Sequence, residues 1–249
     1  MNKNLKITLV WMAGLFSFYG IFPMTMATED ILSKEALIQA TANCIRERQD
    51  TIGKFQFVET QHTVIQVQQA QQDRNLVIEK RVIFDGVKKM SEEFIKVTIN
   101  DSPVAREKIG IIESRLQGMS GCWQEAMAQI NTDLLSGKMS EQITDLGQET
   151  VNGKSVYELK FIPVDSKKVK EVYVDVDKTG FDILRMEIIG KAVGEIKDSR
   201  TEINCQRSIK GFYLPSLVKI QSQVEMGFLI KNISVKLISE IKLNDYQTR

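Results

Sequence analysis

Gly147 to Gly190 reads GQETVNGKSVYELKFIPVDSKKVKEVYVDVDKTGFDILRMEIIG, and its spacing predicts three consecutive antiparallel strands, a β-meander with one apolar face. Asn152-Gly153 supplies the positive φ angles of a tight hairpin, and Lys178-Thr179-Gly180 supplies a second turn with glycine at its end. Between the turns the side chains alternate. Tyr157, Leu159 and Phe161 fall on one face, with Val156, Glu158 and Lys160 on the other. Val172, Val174 and Val176 likewise oppose Glu171, Tyr173 and Asp175. One face of this unit therefore needs a core or an apolar ligand.

Outward from the meander, the same alternation predicts strands on both sides. Lys54–Gln68 carries Phe55, Phe57, Ile65 and Val67, Asn75–Phe84 carries Leu76, Ile78, Val82 and Phe84, and Met90–Asn100 follows a turn at Asp85-Gly86. Toward the carboxyl end, Thr201–Ser208, Phe212–Met226 and Leu229–Leu243 are strands, with a turn at Lys210-Gly211. In the last of these Ile233, Val235, Leu237, Ile241 and Leu243 share one parity. Two regions change to helical period. Ser33 is an N-cap for a helix with Ala36, Leu37, Ala40, Cys44 and Ile45 as its apolar stripe and Gly53 as its stop. Pro103–Gly137 holds two short helices, one with Ile109, Ile112 and Leu116, the other with Trp123, Met127, Ile130 and Leu134. The expected fold is α+β: nine or ten strands in a strongly curved antiparallel sheet, an N-terminal helix and a short helical insertion.

The first residues, MNKNLKITLVWMAGLFSFYGIFPMTMATED, have the layout of a signal peptide. Lys3 and Lys6 precede an uncharged run from Ile7 to Phe22, and small residues lead to an acidic start at Thr28-Glu29-Asp30. The run approaches the length of a spanning helix, which is the alternative reading. Cleavage after Ala27 leaves residues 28–249 as a single domain in the periplasm, with no cysteine at the junction to carry a lipid anchor. The loss of Lys3 and Lys6 takes 33 basic and 32 acidic residues to 31 and 32, a formal net charge of −1. Nucleic-acid binding has no electrostatic support from such a chain.

Catalytic and metal motifs are equally sparse. His62 is the single histidine, so a multi-histidine metal site is excluded and a Ser-His-Asp triad would need that one residue. Ser120-Gly121-Cys122-Trp123 has the look of a cysteine-protease nucleophile region, yet the downstream histidine such chemistry requires is missing. Asp175-Val176-Asp177-Lys178-Thr179-Gly180 resembles the start of a calcium loop, but Met186 stands where a bidentate glutamate belongs and the flanks are strands, so a hairpin is the simpler reading. Cys44, Cys122 and Cys205 allow three pairings with one thiol left over, or three buried thiols. No enzyme, metal or cofactor is expected.

The order of Asp133-Leu134-Leu135-Ser136-Gly137, NGKSVYELKFIP, VYVDVDKTGFDILRMEI and GFYLPSLVKI resembles the second half of the LolA-like family of outer-membrane lipoprotein carriers, to which RseB/MucB-type periplasmic lipid sensors are also similar. The resemblance implies an incomplete β-barrel whose helices cross its mouth and move when lipid enters. It implies a carrier or chaperone that shields the acyl chains of a lipoprotein or lipid, taken from an inner-membrane donor to an outer-membrane acceptor. By the same likeness Trp123, Met127, Ile130 and Leu134 would be lid or cavity residues. The expected lipid-binding side chains on the strands are Phe55, Phe57, Tyr157, Leu159, Phe161, Val172, Val174, Leu184, Met186 and Ile188. Arg46, Arg74, Arg81 and Arg185 are candidates for the lid-locking arginine of that family. The alternatives are a lipid-sensing regulatory module and a structural protein-binding module, and the apolar face could be a filled core or a ligand cavity.

Overall fold

Among the described residues, eleven antiparallel strands form one open sheet in the order β4-β3-β2-β1-β11-β10-β9-β8-β7-β6-β5. They are β1 (Phe55–Val67), β2 (Gln72–Phe84), β3 (Lys89–Ile99), β4 (Ser102–Pro103), β5 (Ile143–Val151), β6 (Lys154–Phe161), β7 (Val169–Asp177), β8 (Ile183–Gly190), β9 (Ile196–Arg207), β10 (Tyr213–Phe228) and β11 (Lys231–Thr248). Helix α1 (Lys34–Ile52) precedes the sheet and α2 (Arg106–Met119) follows β4. This computed structural model describes residues 32–68, 72–84, 89–119, 143–163, 166–228 and 231–249, and Ser33–Arg249 forms one compact unit. The leader and its cleavage after Ala27, the turn at Asp85-Gly86 and the helix expected around Trp123 and Met127 lie outside the described residues.

Two meanders of neighbouring strands, β1 to β4 and β5 to β11, are joined by one long-range pairing. β11 lies antiparallel to β1 from Phe55↔Thr248 to Val67↔Val235. The rest of the ladder pairs strands that follow one another in sequence, so local turns account for most of the order. The expected curved antiparallel sheet with a leading helix is observed.

The decisive stretch holds four strands rather than three. Gly147 is not the edge of an element but lies inside β5, where it takes φ 105° at a register shift. The Asp145 carboxylate accepts its N–H at 2.8 Å, so the glycine serves a β-bulge. Asn152 (φ 51°) and Gly153 (φ 77°) make the expected tight hairpin. In the next turn the left-handed residue is Phe181 (φ 56°), not Gly180. Asp177 organises that turn by accepting the Thr179 N–H at 3.0 Å on its side chain and the Phe181 N–H at 2.9 Å on its carbonyl.

Helix α1 begins and ends where the sequence places it. The Ser33 hydroxyl accepts the Ala36 N–H at 3.2 Å, and Gly53 at φ 60° closes on the Gln49 carbonyl at 3.1 Å. Its buried face is Leu37, Ile38, Thr41, Ala42, Ile45 and Ile52, whereas Ala36 is exposed and Ala40 and Cys44 are half-buried. The stripe is turned because Thr41 belongs to it: its hydroxyl donates to the Leu37 carbonyl at 2.9 Å and needs no other partner.

Candidate functional site

The pairing registers assemble one continuous inner face. Across β6 to β3 runs Leu159, Val174, Met186, Ile203, Val218, Ile241, Gln61, Ile78 and Val97, each opposite the next. Beside it runs Phe161, Val172, Ile188, Thr201, Ile220, Ser239, Thr63, Leu76 and Ile99. Nearly all of these side chains are buried, and from β6 to β8 every one is apolar. Helix α2 lies on the other end of the face, where Ile109 and Ile112 pack on a cluster that includes Leu76, Ile78, Val97 and Leu237.

Seven of the expected lining residues stand together on these rows or the one beside them: Tyr157, Leu159, Phe161, Val172, Val174, Met186 and Ile188. Leu184 does not join them. A bulge between Val176↔Ile183 and Asp175↔Arg185 leaves it packed with Val151, Val156 and Tyr213 in a separate cluster. That cluster also explains why Val156, expected on the polar face, is fully buried. Phe55 and Phe57 face inward but join Phe84 and Tyr246 in a ring cluster with centroids 5.2 to 6.1 Å apart. Tyr246 donates its hydroxyl to the Pro215 carbonyl at 2.5 Å, and burial pushes its pKa well up. Trp123 and Met127 lie outside the described residues.

The inner face of β1 changes character along its length. Phe55 and Phe57 are followed on the same parity by Glu59, Gln61 and Thr63, all buried. Gln61 donates to the Thr63 hydroxyl at 2.9 Å, which in turn shares a 2.7 Å hydrogen bond with Ser239 of β11. Opposite Glu59 stands Lys80, itself 7% exposed. Its ammonium lies 3.3 Å from Glu59, 3.2 Å from Glu92 of β3 and 3.3 Å from Glu113 of α2. Burial pulls the Lys80 pKa down, but the three carboxylates outweigh it and leave the group above the ordinary lysine value. One cation thus joins two strand neighbours and the helix laid over them.

Reading apolar residues alone missed this cluster. The available signal was parity, since Glu59 shares the face of Phe57 and Lys80 that of Ile78 and Val82. None of the four arginine candidates takes the place of Lys80. Arg185 binds Asp175 at 2.6 Å, Arg81 binds Glu93 at 3.1 Å on the surface, Arg46 reaches Asn43, and Arg74 is exposed.

The opposite face of β6 to β9 carries ion pairs between neighbouring strands, Lys160–Glu171 at 2.7 Å and Glu187–Arg200 at 2.6 Å among them. Asp175 and Asp177, the near-calcium residues, are held by Arg185 and by Lys154 at 2.9 Å. His62 is exposed on β1, and Cys44 and Cys205 are free thiols. Among the described residues no group of three or more His, Cys, Asp or Glu side chains could hold a metal ion, and no helix is long and apolar enough to cross a membrane. A cleft of about 480 Å³ beside Arg207, Asn244 and Asp245 is lined largely by polar groups.

No protein-family model and no curated protein matches this sequence. Solved structures are similar to it at low identity. A domain of the outer-membrane lipoprotein-sorting type from Vibrio parahaemolyticus has 13% identity and a TM-score of 0.43, over 85% of this chain and 92% of that one. A LolA superfamily protein from Nitrosomonas europaea has 12% identity and a TM-score of 0.39, over 85% and 93%. MucB of Pseudomonas aeruginosa, in its complex with MucA, has 8% identity and a TM-score of 0.24, over 88% and 99%.

Proposed function

We propose that this protein is a non-catalytic periplasmic binding protein that shelters the acyl chains of a lipoprotein or lipid against its inner face and passes them between membranes. The observation that carries the reading is the run of wholly apolar side chains from β6 to β8, continuous with the inner face that α2 partly covers. Each methylene withdrawn from water is worth about 0.8 kcal/mol, so a surface of this kind needs neither ion nor nucleophile to hold a chain. The signal-peptide layout of residues 1–27 supports the periplasmic address.

The test is native mass spectrometry with lipid extraction of the protein purified from the envelope without detergent, paired with V174F. A co-purifying acylated molecule that V174F excludes, in a chain of unchanged stability, is the expected result. A lipid-free protein that takes up no palmitoylated peptide from micelles overturns the proposal. So does a V174F chain destabilised by about 1–3 kcal/mol with no change in bound lipid, the mark of a filled core.

A further inference from the structure

Two exposed large apolar side chains stand at one end of the sheet. Ile162 directly follows β6 and is 51% exposed, and Val193, between β8 and β9, is 44% exposed. The registers Phe161↔Val172 and Val169↔Gly190 bring the β6–β7 and β8–β9 connections to the same end. They are bonded to each other: Lys191 donates its backbone N–H to the Lys168 carbonyl and its ammonium to the Ser166 carbonyl, both at 2.7 Å. The Ser166 hydroxyl accepts the Val169 N–H at 2.9 Å, which fixes a turn on which Lys167 and Lys168 are exposed. Lys170 is exposed as well, and its neighbour Glu171 is held more closely by Lys160, at 2.7 Å against 3.8 Å. From Lys160 to Lys170 the chain carries four lysines and one acid, Asp165, and the β8–β9 connection adds Lys191 and Glu195. A single exposed aliphatic residue needs no explanation. Two of them on adjoining, hydrogen-bonded connections among lysines suit a bilayer interface, where aliphatic groups enter the acyl boundary and ammonium groups stay among the phosphates.

We propose that this end of the sheet, through Ile162, Val193 and the lysines Lys167, Lys168 and Lys170, docks on the surface of an anionic lipid bilayer. The inference rests on the acyl-binding reading above and deepens it by naming where the protein meets a membrane. Phe161, the residue directly before Ile162, belongs to the buried apolar row with Val172 and Ile188. An acyl chain that leaves the bilayer at this end therefore meets the wholly apolar part of the inner face first, and the polar centre around Lys80 lies strands away.

Vesicle flotation of the protein purified from the envelope tests this, with vesicles of phosphatidylglycerol and phosphatidylethanolamine in equal parts and vesicles of phosphatidylcholine alone. Uptake of a palmitoylated peptide from micelles is measured beside it. The expected result is preference for the anionic vesicles, weakened about 100-fold in K167Q/K168Q/K170Q, about 5-fold for each lysine. I162S/V193S weakens binding about 10-fold, and this loss persists in about 0.5 M salt, which screens the lysine contribution. Both variants still take up the peptide. An unaltered protein that takes up the peptide but floats with neither vesicle overturns the docking inference and leaves the acyl-binding reading standing. Equal flotation with both vesicles, or flotation unchanged in both variants, also overturns it. Loss of flotation and of peptide uptake together in both variants assigns these residues to the fold and overturns it as well. Flotation that follows the expected pattern without any peptide uptake supports the docking surface and overturns the acyl-binding reading.

Discussion

Lys80 of β2 lies 3.3 Å from Glu113 of α2, and this ion pair ties the helix to the sheet beneath it. Glu59 and Glu92 hold the same ammonium from β1 and β3, so four elements meet at one nitrogen.

Replacing Lys80 by methionine leaves three carboxylates without their shared cation in a buried place. K80M is expected to lose about 3 kcal/mol or more in urea unfolding at pH 7. E113Q keeps the Lys80 contacts to Glu59 and Glu92 and costs about 1 kcal/mol. Its effect is local: amide exchange in residues 106–119 accelerates while that of β1 and β2 does not. Because the Lys80 pKa is raised in the fold, its contribution is complete below the ordinary lysine value of 10.5 and is lost only as pH rises through the higher folded value. Equal stability of K80M and the unaltered chain at pH 7 would exclude the latch.

Asp175 gives the opposite kind of pH dependence. It is 2% exposed, and burial raises its pKa above the ordinary 3.8 more than the Arg185 charge lowers it. The folded state therefore holds this proton to a higher pH than the unfolded chain does. The stability advantage of the unaltered chain over D175N is largest below 3.8 and shrinks as pH rises through the folded pKa. Urea midpoints of the two proteins from pH 3.5 to 6 measure the difference. An advantage that grows with pH would mean that the Arg185 ion pair dominates burial.

Gly190 is set by a neighbour rather than by its own backbone. A β-carbon there would sit 1.8 Å from the Ser199 hydroxyl and 3.2 Å from Ser199 Cβ. G190A is expected to cost about 1–3 kcal/mol, as overpacking does. G190A/S199A recovers most of that loss, since the contacts that remain, to Ser199 Cβ at 3.2 Å and to its carbonyl oxygen at 3.4 Å, are far milder than the one removed, and a double-mutant cycle reads the coupling. Additive losses would place the strain elsewhere.

Cys44 is a poor nucleophile despite being half-buried. Burial, then the Asp182 carboxylate it donates to at 3.3 Å, pushes its thiol up to about 12 from 9.0. Its thiolate fraction at pH 8 falls about 1000-fold, and native-state labelling in a C122S background should slow to match. D182N removes the carboxylate and accelerates labelling of Cys44. Labelling of Cys44 at the rate of a free thiol would contradict the buried Cys44–Asp182 contact.

Much of the fold was legible because it depends on near neighbours in sequence. Val172, Val174 and Val176 alternate with Glu171, Tyr173 and Asp175, and that period of two makes a strand whatever lies beside it. The bulge at Gly147 was not legible, because a register shift is defined only against the partner strand. The apolar residues of β6 to β8 came together as the alternation required, while Leu184 left them at a bulge that no spacing announces.

By itself the sequence determined the period-two stretches, the Asn152-Gly153 hairpin and the limits of α1, since turn dipeptides, caps and side-chain period act within a few residues. Only the tertiary structure decided that β11 lies beside β1 across nearly the whole chain, and so which residues share a row. The same holds for the polar centre. Glu59, Lys80, Glu92 and Glu113 are separated in sequence, and charged residues read singly are solvated. They become a buried cluster only when three strands and a helix bring their ends within 3.3 Å, because the Coulomb energy that holds them depends on distance in space and not along the chain.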